Sequence, residues 1–211
     1  MVKNIKTLKR SLMILGLIYS TVFSLWFLYR MFFRFSEAID ELVVKPILWI
    51  TPVIIFNYLK KLPSVNISFP KNFQKAFVVA MLIGITLPLI QIFPRLINQG
   101  VNPSWEWSFL IFLIPIGTAM SEEYLFRGLF MHHLLSYFPH RISNLIVSIF
   151  FAFIHLPLMI FIYNNDIAVV LSRFYLLIIS SFFFGYLYIK NKTIVPSVIA
   201  HYINNLIFVI I

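Results

Sequence analysis

The sequence predicts an all-α protein, a polytopic membrane helix bundle of about seven transmembrane helices with its N-terminus in the cytoplasm. Three observations carry this. Of 211 residues, 61% are hydrophobic and 11% charged, whereas soluble domains sit near half apolar and a quarter charged. The apolar residues gather into runs, and a run of roughly 20 spans a bilayer. No stretch shows the period-two alternation of a half-buried strand.

Seven hydrophobic segments follow one another, near 11–33, 46–59, 76–93, 107–126, 142–162, 168–189 and 194–211. The first runs from Leu12 to Phe33 and ends in bulky residues around Arg30. It exceeds the short apolar core of a signal peptide and reads as a retained span. The second is short and contains Pro52, so it is either re-entrant or extends back through Leu42. The fourth continues past Arg127 as an amphipathic helix to about Phe138. Between 60 and 75, Lys60, Lys61, Pro63, Pro70, Lys71 and Lys75 make a polar loop rather than a domain linker. One membrane domain therefore holds N-terminal helices, 1–104, and a C-terminal core, 105–211.

The formal net charge is +10. No basic soluble domain exists to dock nucleic acid, and the charge is expected instead in cytoplasmic loops beside anionic headgroups. With the N-terminus inside, those loops take twelve of the seventeen basic residues, among them Lys3, Lys6, Lys9, Arg10, Arg141, Lys190 and Lys192. Arg34, Lys45 and Arg95 fall in outer loops, Arg30 at a span edge and Arg173 within the sixth segment. Glu37, Asp40, Glu41, Glu106 and Asp166 fall outside. The absence of cysteine excludes disulfides, thiolate metal sites and a cysteine nucleophile.

Two acids remain, Glu122 and Glu123, directly after an apolar run. A charge near the bilayer centre costs about 2.5–3.5 kcal/mol on insertion scales. Glu123 and Arg127 are four apart and share a helical face, so they can pair. Glu122 points about 100° away and is left free to face a cavity as a general base. His155 lies within the fifth segment. His201 and Asn205 share a face of the seventh, which Asn204 shares less well. Three segments thus bring polar groups inward, and Arg173 is the other one at depth, placed to pair with Glu122 or Glu123 or to snorkel outward. Counted from the cytoplasmic ends at about 1.5 Å per residue, Glu122 and His201 lie about 10 Å deep and His155 about 20 Å.

A carboxylate and a histidine can together deprotonate water, and a second histidine and an amide can donate to a developing oxyanion. The same types, Glu122, His155 and His201, could hold zinc, and the sequence does not separate the two. No His-Glu-x-x-His, Gly-x-Gly-Asp or Gly-x-Ser-x-Gly motif is present. Ser180 and Ser181 read as helix-packing residues.

Glu-Glu-x-x-x-Arg at 122–127, Phe-x-x-x-His at 151–155 and His-x-x-x-Asn at 201–205, in that order on apolar segments, resemble the CPBP family over roughly residues 107–211. That family holds CAAX-processing proteases and Abi-like bacteriocin-processing or immunity proteins, and its eukaryotic member is the Ras-converting endopeptidase of the endoplasmic reticulum. The resemblance implies that Glu122 is the catalytic glutamate, with Glu123 and Arg127 its supporting pair. It implies that His155 helps to activate water, that His201 and Asn205 form the oxyanion hole, and that Phe151 packs. It favours a glutamate-type mechanism with no cofactor, although zinc stays open.

The expected function is hydrolysis of a peptide bond in a membrane-associated peptide or protein tail near the cytoplasmic leaflet, in peptide maturation or bacteriocin self-immunity. The expected location is a bacterial plasma membrane, multi-pass. The alternatives are a non-catalytic scaffold or immunity protein of the same fold, and a small ion-coupled transporter.

Overall fold

The computed structural model describes residues 5–60, 65–99, 109–163 and 166–210. Lys3, Lys61, Pro63 and Glu106 lie outside these residues. Among the described residues every regular element is helical. Helix α1 spans Ile5–Phe32. A short α2 (Glu37–Ile39) leads through a π-helical stretch, Asp40–Val44, into α3 (Lys45–Lys60). Helix α4 is Phe73–Gln99. Helix α5 (Leu110–Glu123) continues through a second π stretch, Tyr124–Met131, into α6 (His132–Leu134). Helix α7 (His140–Ile154) is followed by a third π stretch, Leu158–Ile162, then α8 (Ile167–Asn191) and α9 (Val195–Ile210).

The second apolar segment therefore extends back through Leu42 as one continuous helical path, with Pro52 inside α3. The fourth carries on past Arg127 to Leu134. Among the described residues four helices are long and apolar enough to cross a membrane: Thr7–Phe32, Phe73–Phe93, His140–Ile162 and Ile167–Asn191. Val195–Ile210 is apolar but shorter. Large apolar side chains point outward along these helices, for example Phe32, Ile90 and Leu171, each more than half exposed. Such a face suits lipid rather than water.

Successive elements run up and down the bundle. At one end Ser11 Oγ meets Tyr137 OH at 2.8 Å, His132 Nδ1 lies 3.2 Å from Tyr188 OH, and Asn66 Nδ2 donates to the Lys192 carbonyl at 2.8 Å. At the other end Arg34 Nη2 donates to the Phe161 carbonyl at 2.7 Å, and the rings of Phe153 and Phe174 stand edge to face. Local chemistry sets the ends of α8. The Asp166 side chain caps its first turn by accepting from the Val169 amide at 2.9 Å, the ordinary N-cap role. Lys192 closes it in the left-handed conformation at φ 59°, the usual stop for a helix.

The core lies between α1, α3, the α5–α6 path and α7. Trp26, Trp49, Phe126 and Phe151 are each about 1% exposed or less, and Trp49 and Phe126 meet at 6.2 Å between ring centres. A second, smaller core joins α4, α8 and α9 through Ala80, Leu87, Phe184, Leu187 and Ala200. Here α4 and α9 touch backbone to backbone, because a Cβ on Gly84 would stand 2.6 Å from the Ala200 carbonyl oxygen. Small residues at such crossings permit close helix approach in membranes.

Gly84→Leu should therefore lift α9 off α4 and destabilise the protein by about 1–3 kcal/mol, the usual cost of overpacking. A lowered melting temperature of the detergent-solubilised protein is the readout, and an unchanged melt would refute the close crossing.

Candidate active site

Four elements converge at mid-bundle. Helix α5 delivers Glu122 and Glu123 in its last turn, and the π stretch that starts at Tyr124 carries Arg127. Helix α9 carries His201, Asn204 and Asn205. His155 sits just past the end of α7, where Pro157 forbids a regular continuation. The His155 amide bonds to the Ala152 carbonyl at 3.2 Å, and its ring Nδ1 reaches the Phe151 carbonyl at 2.7 Å. The fourth element comes from the N-terminal half: the π stretch Asp40–Val44 and the first residue of α3 bring in Glu41 and Lys45. It approaches α5 closely at Gly117, where a Cβ would meet Leu42.

Glu123 and Arg127 form the expected ion pair, Nη1 donating to Oε1 at 3.0 Å, with both side chains fully buried. Arg127 Nη2 also donates to the Ser181 carbonyl at 2.6 Å and Oγ at 2.7 Å. The same Glu123 Oε1 lies 2.9 Å from His201 Nδ1. A carboxylate and a carbonyl only accept, so Nδ1 carries the proton in both His201 and His155. Both Nε2 atoms consequently face Glu122, His155 at 3.5 Å from Oε1 and His201 at 3.6 Å from Oε2. These spacings exceed a direct hydrogen bond. Glu122 Oε2 is buried without a hydrogen-bond partner. Aromatic rings fix both imidazoles: Phe184 stacks on His201 at 4.7 Å, and Phe151 lies 4.7 Å from His155.

Glu122 is not free, as the sequence suggested. Lys45 Nζ donates to its Oε1 at 3.0 Å. Lys45, expected in an outer loop, opens α3 and is 3% exposed, and Asp40 and Glu41, expected in the same outer piece, are also buried. They form a chain of charge. Lys45 bonds Glu41, which also accepts from Thr118 Oγ1 at 2.8 Å. Arg30 Nη2 lies 3.5 Å from Glu41, while Arg30 Nη1 and Tyr29 OH both donate to Asp40. Sequence reading missed this chain because charge that flanks a short apolar segment looks like a loop. The one available signal was the i, i+4 spacing of Glu41 and Lys45. Only the fold could show that this spacing turns inward.

Asn205 and Asn204 both line the cavity, and Asn204 is the more buried of the two. Asn204 Nδ2 donates to Asn205 Oδ1 at 3.3 Å, which leaves the Asn205 amide hydrogens out of that bond. Arg173 pairs with neither glutamate. It is exposed and lies over the Tyr163 ring at 5.3 Å. The mismatch in depth between Glu122 and His155 also dissolves. Glu122 lies twelve residues from Leu134, about 18 Å, and His155 fifteen from His140, about 22 Å, so the two meet at one level.

The cavity is about 770 Å³ and is lined by Glu122, His155, His201, Asn205, Lys45 and Glu41 among others. Glu122, His155 and His201 are the side chains that could hold a metal, but the Lys45 ammonium already sits on Glu122 Oε1. Among the described residues no group of three acidic or histidine side chains has metal-holding spacing.

Arg127→Ala should leave the Glu123 carboxylate unpaired in a dry core and cost about 3–5 kcal/mol. Thermal melts in detergent would show it, and a melt matching the parent would refute the buried pair.

No curated protein matches this chain. Residues 103–207 match the family model described as type II CAAX prenyl endopeptidase Rce1-like. That span holds Glu122, Glu123, Arg127, His155, His201 and Asn205. Family and apolar helices together make this an integral membrane protein. Through residues 103–207, about half its length, the chain belongs to the Rce1-like CAAX protease family.

Proposed function

We propose that this protein is an intramembrane endopeptidase that adds water to a peptide carbonyl, with Glu122 as general base. The observation that carries the reading is the buried, unpartnered Oε2 of Glu122 in a carboxylate faced by two imidazole Nε2 atoms. The gaps of 3.5 and 3.6 Å suit a bridging water better than direct bonds. Water donates one proton to Glu122 and a second hydrogen bond to His155 Nε2, and its oxygen attacks the carbonyl carbon. The oxyanion that forms takes hydrogen bonds from the Asn205 amide and from His201. His201 donates from Nε2 when it carries both protons, and the two carboxylates it spans balance that charge. Glu122 then passes its proton to the amide nitrogen as the C–N bond breaks, and the products are a neutral amine and a carboxylic acid that keeps the water's second proton until it ionises to solvent. Glu123, itself held by Arg127, orients His201, and Phe151 packs against both histidines.

Lys45 fixes one oxygen of Glu122 and turns the other into the cavity. It also occupies a carboxylate oxygen that a zinc ion would need, so this reading uses no metal. Seven membrane crossings with a cytoplasmic N-terminus fit the up-and-down course and the charge distribution. Peptide maturation or bacteriocin self-immunity in a bacterial plasma membrane is the setting this reading would serve.

Reconstituted wild type and Glu122→Gln, at matched folded amounts, should be incubated with the host's membrane peptides and the new termini sequenced, with and without a strong zinc chelator. New termini are expected from the wild type alone and should survive the chelator. Loss on chelation would overturn the metal-free mechanism, and cutting by neither protein would favour a non-catalytic scaffold.

Lys45→Met should lower kcat by about 10²-fold, the scale of losing one aimed electrostatic donor, with KM little changed. Lys45→Cys, the sole thiol in a chain without cysteine, should regain activity on aminoethylation with 2-bromoethylamine but not on neutral alkylation. Equal recovery with both reagents would refute a role for the charge.

A further inference from the structure

The cavity has a direction. Its floor is Glu122, Phe151, Phe184 and His201, all buried. Its rim is Glu37, Tyr163, Arg173, Phe208 and Val209, all exposed. Every rim residue belongs to the end of the bundle where α1 stops and α8 starts. Among the described residues no lining residue comes from the opposite end, near Ser11, Asn66, Tyr137 or Lys192. Trp49, Leu125, Phe126 and Leu129, none more than 1% exposed, pack together in the main core.

The two ends differ sharply in charge. The closed end exposes Lys9, Arg10, Lys71, Lys75, Arg141, Lys190 and Lys192, and every Asp and Glu of the described residues lies elsewhere. The open end exposes Arg34 and Arg173 against Glu37 and Asp166. Lysine and arginine in short loops mark the cytoplasmic side of a membrane protein. The cavity mouth therefore faces away from the cytoplasm, contrary to delivery at the cytoplasmic leaflet.

We propose that the cavity takes its peptide from the extracytoplasmic face, so that the substrate is a segment that has already crossed the membrane. The walls fit an extended chain at that depth. Leu158, Leu176 and Phe208 offer apolar contact, and the side-chain amides of Gln91, Asn204 and Asn205 can meet backbone groups that lipid would leave unpaired. The identity of the occupant as a peptide rests on the hydrolase reading above, whereas the side from which it enters does not.

The chain has no cysteine, so single-cysteine variants report side directly. Glu37→Cys and Arg173→Cys probe the mouth, and Arg141→Cys and Lys190→Cys the basic end. Each full-length variant is expressed in bacterial cells, converted to spheroplasts and treated with a membrane-impermeant maleimide, before and after permeabilisation. The mouth thiols should label in intact spheroplasts and the basic-end thiols only after permeabilisation. The reverse pattern, labelling of both ends in intact spheroplasts, or mouth thiols that stay unlabelled after permeabilisation would each overturn the proposal. All four sites are exposed, and a melting transition of each purified variant in detergent that matches the parent's verifies folding. The same set in a Glu122→Gln background should label identically. Correct labelling without any peptide cleavage would overturn the hydrolase reading alone.

Discussion

Buried charge governs this molecule. Glu122, Glu123, Asp40 and Glu41 lie in the interior, balanced by Arg30, Lys45 and Arg127. Each ion removed from water costs several kcal/mol and must be met by partners in place. Four elements distant in sequence are therefore held together at one level of the bundle. One carboxylate exceeds the three cations, and His155 and His201 are the titratable rings beside it.

The backbone yields where the charges meet. All three π-helical stretches, at 40–44, 124–131 and 158–162, adjoin residues of the cluster. Wider helical turns of this kind are frequent at functional sites. Pro157, two residues past His155, keeps the regular helix from resuming after Ile154, and the histidine ring bonds back to its own chain at Phe151. The ring is thereby held with Nε2 toward Glu122. Close contacts at Gly117 and Gly84 bring the π stretch and α9 near enough for the side chains to reach.

The N-terminal half is part of the site rather than a cover for it. Lys45 reaches Glu122 from outside the span that carries the family motifs, and Glu41, Thr118 and Arg30 hold it there. One oxygen of the Glu122 carboxylate is thus anchored by one half of the chain, and its orientation against the histidines comes from the other.

Much was settled by the sequence alone. Long apolar runs can only be helices in lipid, because backbone groups there must be satisfied within the segment. Glu123 and Arg127 could pair because four residues separate them on one face, and the three polar motifs were expected to turn inward because lipid does not solvate them. What required the tertiary structure was everything set by contact between distant segments. Lys45 and Glu41 flank a short apolar stretch, and nothing local distinguishes a solvated loop charge from one folded back onto Glu122. The His201–Glu123 bond, the place of Asn204, the stacking of Arg173 on Tyr163 and the side on which the cavity opens likewise depend on helix rotation and packing. Those follow from the whole bundle, since each helix turns to whichever neighbour can satisfy its polar face.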